Sequence, residues 1–313
     1  FEESDNFGSL IQPALEDVEG IRETLQSKDL SGNLFLKSTH DRVLQVLHQA
    51  DYLRQRYHVV VANPPYMGGK GMNGRMANYL KEHYTDVKSD LFSAFMVRNT
   101  KLAVNQGQLG FMTPFNWMFL KTHEKLRNFI IDNTKLHTLV RPEYHSFFES
   151  AYVPICAFCT KNKSRSNSQA KFIDLQQFYG SKNQPKMLLQ SIETKDECDF
   201  VYCICPIEFK KIPGTPFSYW ISEDVRNIFS FDSSVGKICS VKKGLSTGSD
   251  DEFIRRWSEI SINLFTEYEE DRSICKWWAL NKGGSYRRWF GNRNHVINWE
   301  NNGRSLKKSP RSV

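Results

Sequence analysis

The chain has 313 residues, with 42 Lys and Arg against 35 Asp and Glu, 40% hydrophobic and 25% charged. That balance excludes a wholly disordered protein, and the length suits two domains. The longest apolar runs are strand-length pieces such as Val59-Val60-Val61-Ala62, which excludes a membrane span at the sequence level.

Taken in chain order, residues 41–56 place Val43, Leu44, Val46, Leu47, Ala50 and Leu53 at helical spacing, with Asp41 as N-cap. The β-branched run Tyr57–Ala62 lacks polar alternation and predicts a strand buried on both faces of a parallel sheet. It stops at Asn63-Pro64-Pro65-Tyr66, and a glycine-rich loop, Met67 to Gly74, follows. A helix is expected from near Asp90, a turn at Gly107–Gly110, and a strand at Leu109–Thr113. Next come a helix around Thr122–Asn133 and strands at Leu136–Arg141 and Tyr152–Thr160. This alternation predicts an α/β domain on a mainly parallel sheet over residues 1–200. The polar stretch 161–169 reads as an exposed loop and a hinge between regions. After about residue 200 the helical period fades and six of the seven tryptophans appear, so residues 201–313 are expected to form a second, more β-rich domain.

Net charge is +7, and residues 281–313 account for all of it, with eight Lys and Arg against the single Glu300. Tyr286, Trp289, Phe290 and Trp299 are interleaved with those cations, a pattern suited to phosphate neutralisation and stacking. Seven cysteines, an odd number in a chain able to build a core, fit a reducing cytoplasm. Cys156-x-x-Cys159 and Cys203-x-Cys205 invite a zinc reading, but residues three apart on a strand face opposite ways, and no metal site is predicted. The eight histidines lack metalloprotease spacing.

The chemistry is expected at Asn63–Tyr66. Ligands of open α/β sheets bind beyond the carboxyl ends of the strands, where this turn sits. Two prolines stiffen it and remove backbone donors, leaving the Asn63 side-chain oxygen and the Pro64 carbonyl to accept both hydrogens of an amino group, with Tyr66 stacking on the attached ring. Holding the amine this way turns its lone pair toward an electrophile, so positioning carries the rate.

These residues resemble the catalytic motif of the S-adenosylmethionine-dependent amino-methyltransferases, in which the amine of a flipped-out adenine attacks the sulfonium methyl. Ser89-Asp90-Leu91-Phe92-Ser93-Ala94-Phe95 resembles the motif bordering the cofactor, implying that Asp90, with Asn63, contacts it; Asp90 reads equally as a helix N-terminal charge. Phe147-Phe148, followed by Ala151–Cys156, is similar to the motif whose aromatic packs on the far face of the base; Phe148 has the better offset, and Phe147 reads rather as core. Lys243–Trp257 and Gly283–Asn292 resemble elements of target-recognition domains in large DNA adenine methyltransferases. There Lys243, Arg255, Arg256, Arg287, Arg288 and Arg293 would grip DNA phosphates. The overall likeness is to the PglX-type methyltransferases of BREX phage-defence systems.

The resemblance implies a Rossmann-like methyltransferase fold, S-adenosylmethionine as cofactor, double-stranded DNA as substrate, and phage-defence proteins as possible partners, with no membrane involved. The family's glycine loop for the cofactor is absent, and Gly68-Gly69-Lys70-Gly71 has the wrong spacing to replace it. The chain, beginning at Phe1, therefore reads as an internal piece: the C-terminal half of the catalytic sheet and an incomplete recognition domain, binding cofactor poorly alone. Two alternatives stand beside this reading: an RNA or protein-glutamine amino-methyltransferase, and a catalytically dead DNA-binding fragment.

Overall fold

A computed structural model describes residues 3–14, 17–28, 34–146, 152, 154–163, 168–194, 198–231, 234–241, 244–267 and 275–309. Backbone contacts divide the chain into one unit of residues 1–232 and a second of 233–313.

The first unit opens with α1 (Ser4–Phe7) and α2 (Val18–Gln26), where the Asp17 carboxylate caps by accepting from the Gly20 N–H at 2.8 Å. Helix α3 (Leu34–Arg54) packs on α2 through Val18, Leu47 and Ala50. It already runs through Asp41, so that residue is helix interior rather than the expected N-cap; no glycine or proline in 34–40 stops the helix from propagating towards the N-terminus.

Then follow β1 (Tyr57–Ala62), α4 (Gly74–His83), α5 (Leu91–Leu102), β2 (Ala103–Pro114), α6 (Glu124–Asn133), β3 (Thr134–Arg141), β4 (Ile155–Asn162), β5 (Ala170–Asp174), α7 (Asn183–Glu193), β6 (Val201–Ile204) and α8 (Glu223–Ile228). The strands make one sheet in the order β1-β2-β4-β3-β5-β6. Pairs β1/β2 and β3/β5 are parallel, while β4 runs antiparallel to both its neighbours and β6 antiparallel to β5. The α/β class stands, and the sheet is mixed rather than mainly parallel. Consecutive strands β3 and β4 pair directly, and direct neighbours joined at one end of a sheet must run antiparallel.

The expected turn at 107–110 appears as an irregularity within β2, where pairing with β1 jumps from Tyr57↔Ala103 to Val59↔Gln108. Gln106 is left-handed (φ 64), and a side chain at Gly107 would meet three carbonyl oxygens at 3.0–3.2 Å, so only glycine fits there without a shift. Asn162 holds this corner, its buried Nδ2 lying 2.9–3.1 Å from the carbonyls of Thr100, Ala103 and Val104.

One face of the sheet packs on α4, α5 and α6 through Leu80, Phe92, Leu109, Phe111, Leu126 and Phe158. On the other face α7 covers only the β5/β6 end, where Met187 and Leu188 meet Ile173 and Phe200. Strand β1 is therefore not buried on both sides. Val60 and Ala62 join the core, while Val59 and Val61 are 62% and 77% exposed on an outer strand. Beside them lies an open hollow of about 460 Å³ lined by Val61, Asn63, Met112, Val140, Ala157 and Cys159.

Residues 161–169 are not a hinge between regions, because β5 rejoins the same sheet beside β3. The boundary expected at residue 200 also moves: β6 pairs with β5, and Phe217 and Tyr219 are fully buried, Tyr219 stacked on Phe172 at 5.0 Å. The first unit therefore runs to Asp232.

The second unit holds α9 (Val235–Ile238), α10 (Asp250–Phe253), β7 (Ile254–Arg256), β8 (Phe265–Thr266), β9 (Trp277–Leu280), β10 (His295–Asn298) and α11 (Glu300–Lys308). Its sheet order is β7-β10-β9-β8, with β10 antiparallel to both β7 and β9. Phe253, Ile297 and Leu306 form its core, joined by Trp278, Leu280 and Trp299. Asn301, Asn302 and Gly303 are left-handed, a turn that asparagine and glycine tolerate, and it lays Gly303 against the Trp299 ring. Among the described residues no helix is long and apolar enough to cross a membrane.

Candidate active site

Asn63 follows the last residue of β1, at the end of the sheet where β2 also finishes, its neighbour Ala62 in register with Phe111. Pro64 is buried and anchors the turn, while Asn63, Pro65 and Tyr66 are exposed. The Tyr66 hydroxyl donates to Asn63 Oδ1 at 2.8 Å and lies 3.4 Å from the Met112 carbonyl. Burial, with the Cys156 thiol nearby, pushes the phenol above its ordinary range, so it remains a donor at neutral pH. The turn thus places the Asn63 amide oxygen and the Tyr66 ring at the carboxyl end of β1.

The next loop is tied to the start of α5. Asp90 Oδ1 accepts from the Met67 N–H at 3.2 Å, and the Met67 carbonyl accepts from the Leu91 N–H at 2.9 Å. Burial raises the Asp90 carboxyl above its usual range, opposed by the amides of Phe92, Met67 and Leu91. The preceding Ser89 hydroxyl is buried with no hydrogen-bond partner among the described residues.

Sequence reasoning missed four groups at this end of the sheet. Phe115, just past β2, stacks with Tyr144 at 5.8 Å and 21°, and the Arg141 guanidinium sits 4.3 Å over its ring. Tyr152, 61% exposed, packs 4.4 Å from Tyr144. Arg141 is fixed by Asp174 at 3.6 Å, and Asp174 also accepts from the Tyr219 hydroxyl at 2.7 Å. Thr113 supports the floor, accepting from Trp117 Nε1 at 3.0 Å and contacting Cys156 Sγ at 3.6 Å. Burial drives the Cys156 thiol up to about 12, so it is inert; Cys159 is exposed on the opposite face.

Phe147, Phe148 and Lys243 lie outside the described residues. In the second unit Arg255 spends Nη1 on the Asp251 and Ile254 carbonyls at 2.6 and 2.7 Å, and the Arg256 N–H donates to Glu259 at 2.7 Å. Arg287 and Arg288 are exposed, and Arg293 pairs with Glu267 at 3.3 Å.

A methyl donor can be tested against these groups. The desolvated Asp90 carboxylate and the orphaned Ser89 hydroxyl fit one flank of a polar ligand. The Gly68–Gly71 stretch after β1 has the wrong spacing to cradle the rest, and among the described residues no other strand is followed by Gly-x-Gly. The described residues alone do not hold the whole of S-adenosylmethionine.

Residues 14–148 match the family described as Eco57I restriction-modification methylase. The adenine-specific methyltransferase BrxX of Escherichia coli O9:H4 (strain HS) is 35% identical over 99% of this chain and 25% of its own length. The adenine-specific methyltransferase PglX of Lacticaseibacillus casei (strain Zhang) is 30% identical over 82% of this chain and 22% of its own. This chain is a relative of the PglX-type adenine-specific methyltransferases. It spans about a quarter of those relatives' length. Among solved structures, a nuclease-deletion mutant of the Type ISP restriction-modification enzyme LlaGI aligns with 66% of this chain and 18% of its own, at 13% identity and a TM-score of 0.42.

Proposed function

We propose that the chain carries the amine-holding part of an enzyme that methylates the exocyclic N6 of a flipped-out adenine in double-stranded DNA, with S-adenosylmethionine as methyl donor, for self-marking in a phage-defence or restriction-modification system. The observation that carries the reading is the rigid Asn63–Tyr66 turn at the end of β1. Asn63 Oδ1 has two lone pairs, one engaged by the Tyr66 hydroxyl and one open to an amine hydrogen. The Pro64 carbonyl takes the second hydrogen, and Tyr66 supplies the stacking face. Accepting both hydrogens raises the electron density on nitrogen and aims its lone pair without removing a proton first. Phe148 is the proposed stacking partner on the far face, with Phe147 as the alternative, and Asp90 borders the donor. Lys243, Arg255, Arg256, Arg287, Arg288 and Arg293 are proposed phosphate contacts. Sequence kinship to BrxX and PglX supports adenine over other amines.

The test is labelled methyl transfer to duplex DNA, RNA and a release-factor-like protein by the enzyme that carries this sequence, alongside Asn63→Ala. Label on adenine N6 that the variant lowers about 100-fold or more is expected, the scale of losing one positioned hydrogen-bonding group. Equal labelling by the variant, or label found only on RNA or protein, overturns the reading.

A further inference from the structure

Strands β9 and β10 form a hairpin in register from Leu280↔His295, and its loop, residues 281–294, is built by its own contacts. The Asn292 side chain donates to the Ser285 carbonyl at 3.0 Å, and Lys282 pairs with Asp250 at 2.6 Å. The backbone reverses through Gly291 (φ 157) and Asn292 (φ 58). The Arg287 stem lies so close over Gly291 that a Cβ there would sit 2.5 Å from Arg287 Cγ. This organised loop presents Tyr286, Trp289 and Phe290 to solvent at 86%, 88% and 74% exposure. Large rings clustered on a surface mark an interaction site, since hydration of each opposes leaving it bare.

The surrounding charge selects the partner. The Arg288 guanidinium lies 5.4 Å from the Trp289 ring and that of Arg293 5.5 Å from Phe290, and residues 281–294 contain no Asp or Glu. The unit as a whole, residues 233–313, holds 15 Lys and Arg against 9 Asp and Glu, whereas residues 1–232 are close to balance. Cations at the edges of exposed rings match a polyanion that itself carries flat rings. We propose that the β9–β10 loop is a stacking wedge for DNA, in which Trp289, flanked by Tyr286 and Phe290, packs on exposed or parted bases while Arg287 and Arg288 take the adjoining phosphates. The proposal rests on the DNA reading and adds to it the residues that stack rather than neutralise.

The experiment measures binding of the 313-residue chain to a labelled short duplex of mixed sequence across a salt series. Trp289→Ala weakens binding about tenfold with the salt slope unchanged, because stacking displaces no counterions. Trp289→Phe recovers most of that loss, and Arg287→Gln with Arg288→Gln instead lowers the slope of log affinity against log salt by about two. Binding by Trp289→Ala within twofold of the parent overturns the wedge and leaves the DNA reading standing. A parent chain that binds no duplex overturns both. Loss of vesicle binding, or of thermal stability, in Trp289→Ala with DNA affinity intact assigns the rings to a membrane or to packing and overturns it as well.

Discussion

Asn63 and Tyr66 show how a four-residue turn sets up its own acceptor. The phenol holds the amide by one lone pair of its oxygen, so the remaining lone pair has a fixed direction before any ligand arrives. The turn itself is legible in sequence because it is local: a β-branched run followed by Pro64 and Pro65 leaves the chain few conformations, whereas the Tyr66 to Asn63 hydrogen bond emerges only in the structure. Phe115, Arg141, Tyr144 and Tyr152 are not legible in the same way. They meet only because β4 inserts antiparallel between β2 and β3, a pairing that no short-range pattern encodes.

The spacing of the histidines assigns none of them a role, and His123 has one in stability. It is buried beside Ser93 and Arg127, and burial first, then the Arg127 charge, pushes its ring from 6.5 down to about 4. In the unfolded chain the ring protonates as pH falls through about 6.5, while the folded ring stays neutral until about 4. Stability conferred by the neutral ring is therefore full above that window and lost as pH drops across it. Thermal midpoints followed from about pH 7 to about pH 4 are expected to fall, and to fall less steeply in His123→Asn. Parallel slopes for the two proteins would remove His123 from the account.

At the scale of elements, β2 is the informative case. Sequence reasoning expects a turn at 107–110 and a strand starting at Leu109, and both signals are real: glycine is required at 107, and the regular pairing with β1 resumes at Gln108. The strand nevertheless starts at Ala103, because Asn162 bonds across the irregular segment from β4, far away in sequence. Asn162→Ala leaves buried carbonyls without their donor, a loss of about 2 kcal/mol. The expected outcome is a lower denaturant midpoint at constant slope, and an unchanged midpoint would show that the corner closes without the amide.

The whole molecule divides differently from its composition. Tryptophan content and fading periodicity place a boundary near residue 200, yet residues 201–232 belong with the first sheet through β6 and the buried rings of Phe217 and Tyr219. Aromatic segments without regular period acquire their place from the partner they pack on, here Phe172 of β5, and that partner is invisible locally. The charge boundary was legible: the basic excess lies in the second unit.

The bare flank of β1 has a practical consequence for anyone preparing the protein. Tyr-His-Val-Val-Val-Ala is a short, uncharged, proline-free segment of high β propensity on an outer strand, with Val59 and Val61 open to water. Such an edge is a template for adding strands from other copies, so the isolated chain is expected to self-associate with concentration into species that bind amyloid dyes. A single lysine at position 61 places a charge in the middle of that template. Light scattering of Val61→Lys beside the parent is expected to show a clear gain in solubility, and equal aggregation of the two would move the sticky surface elsewhere.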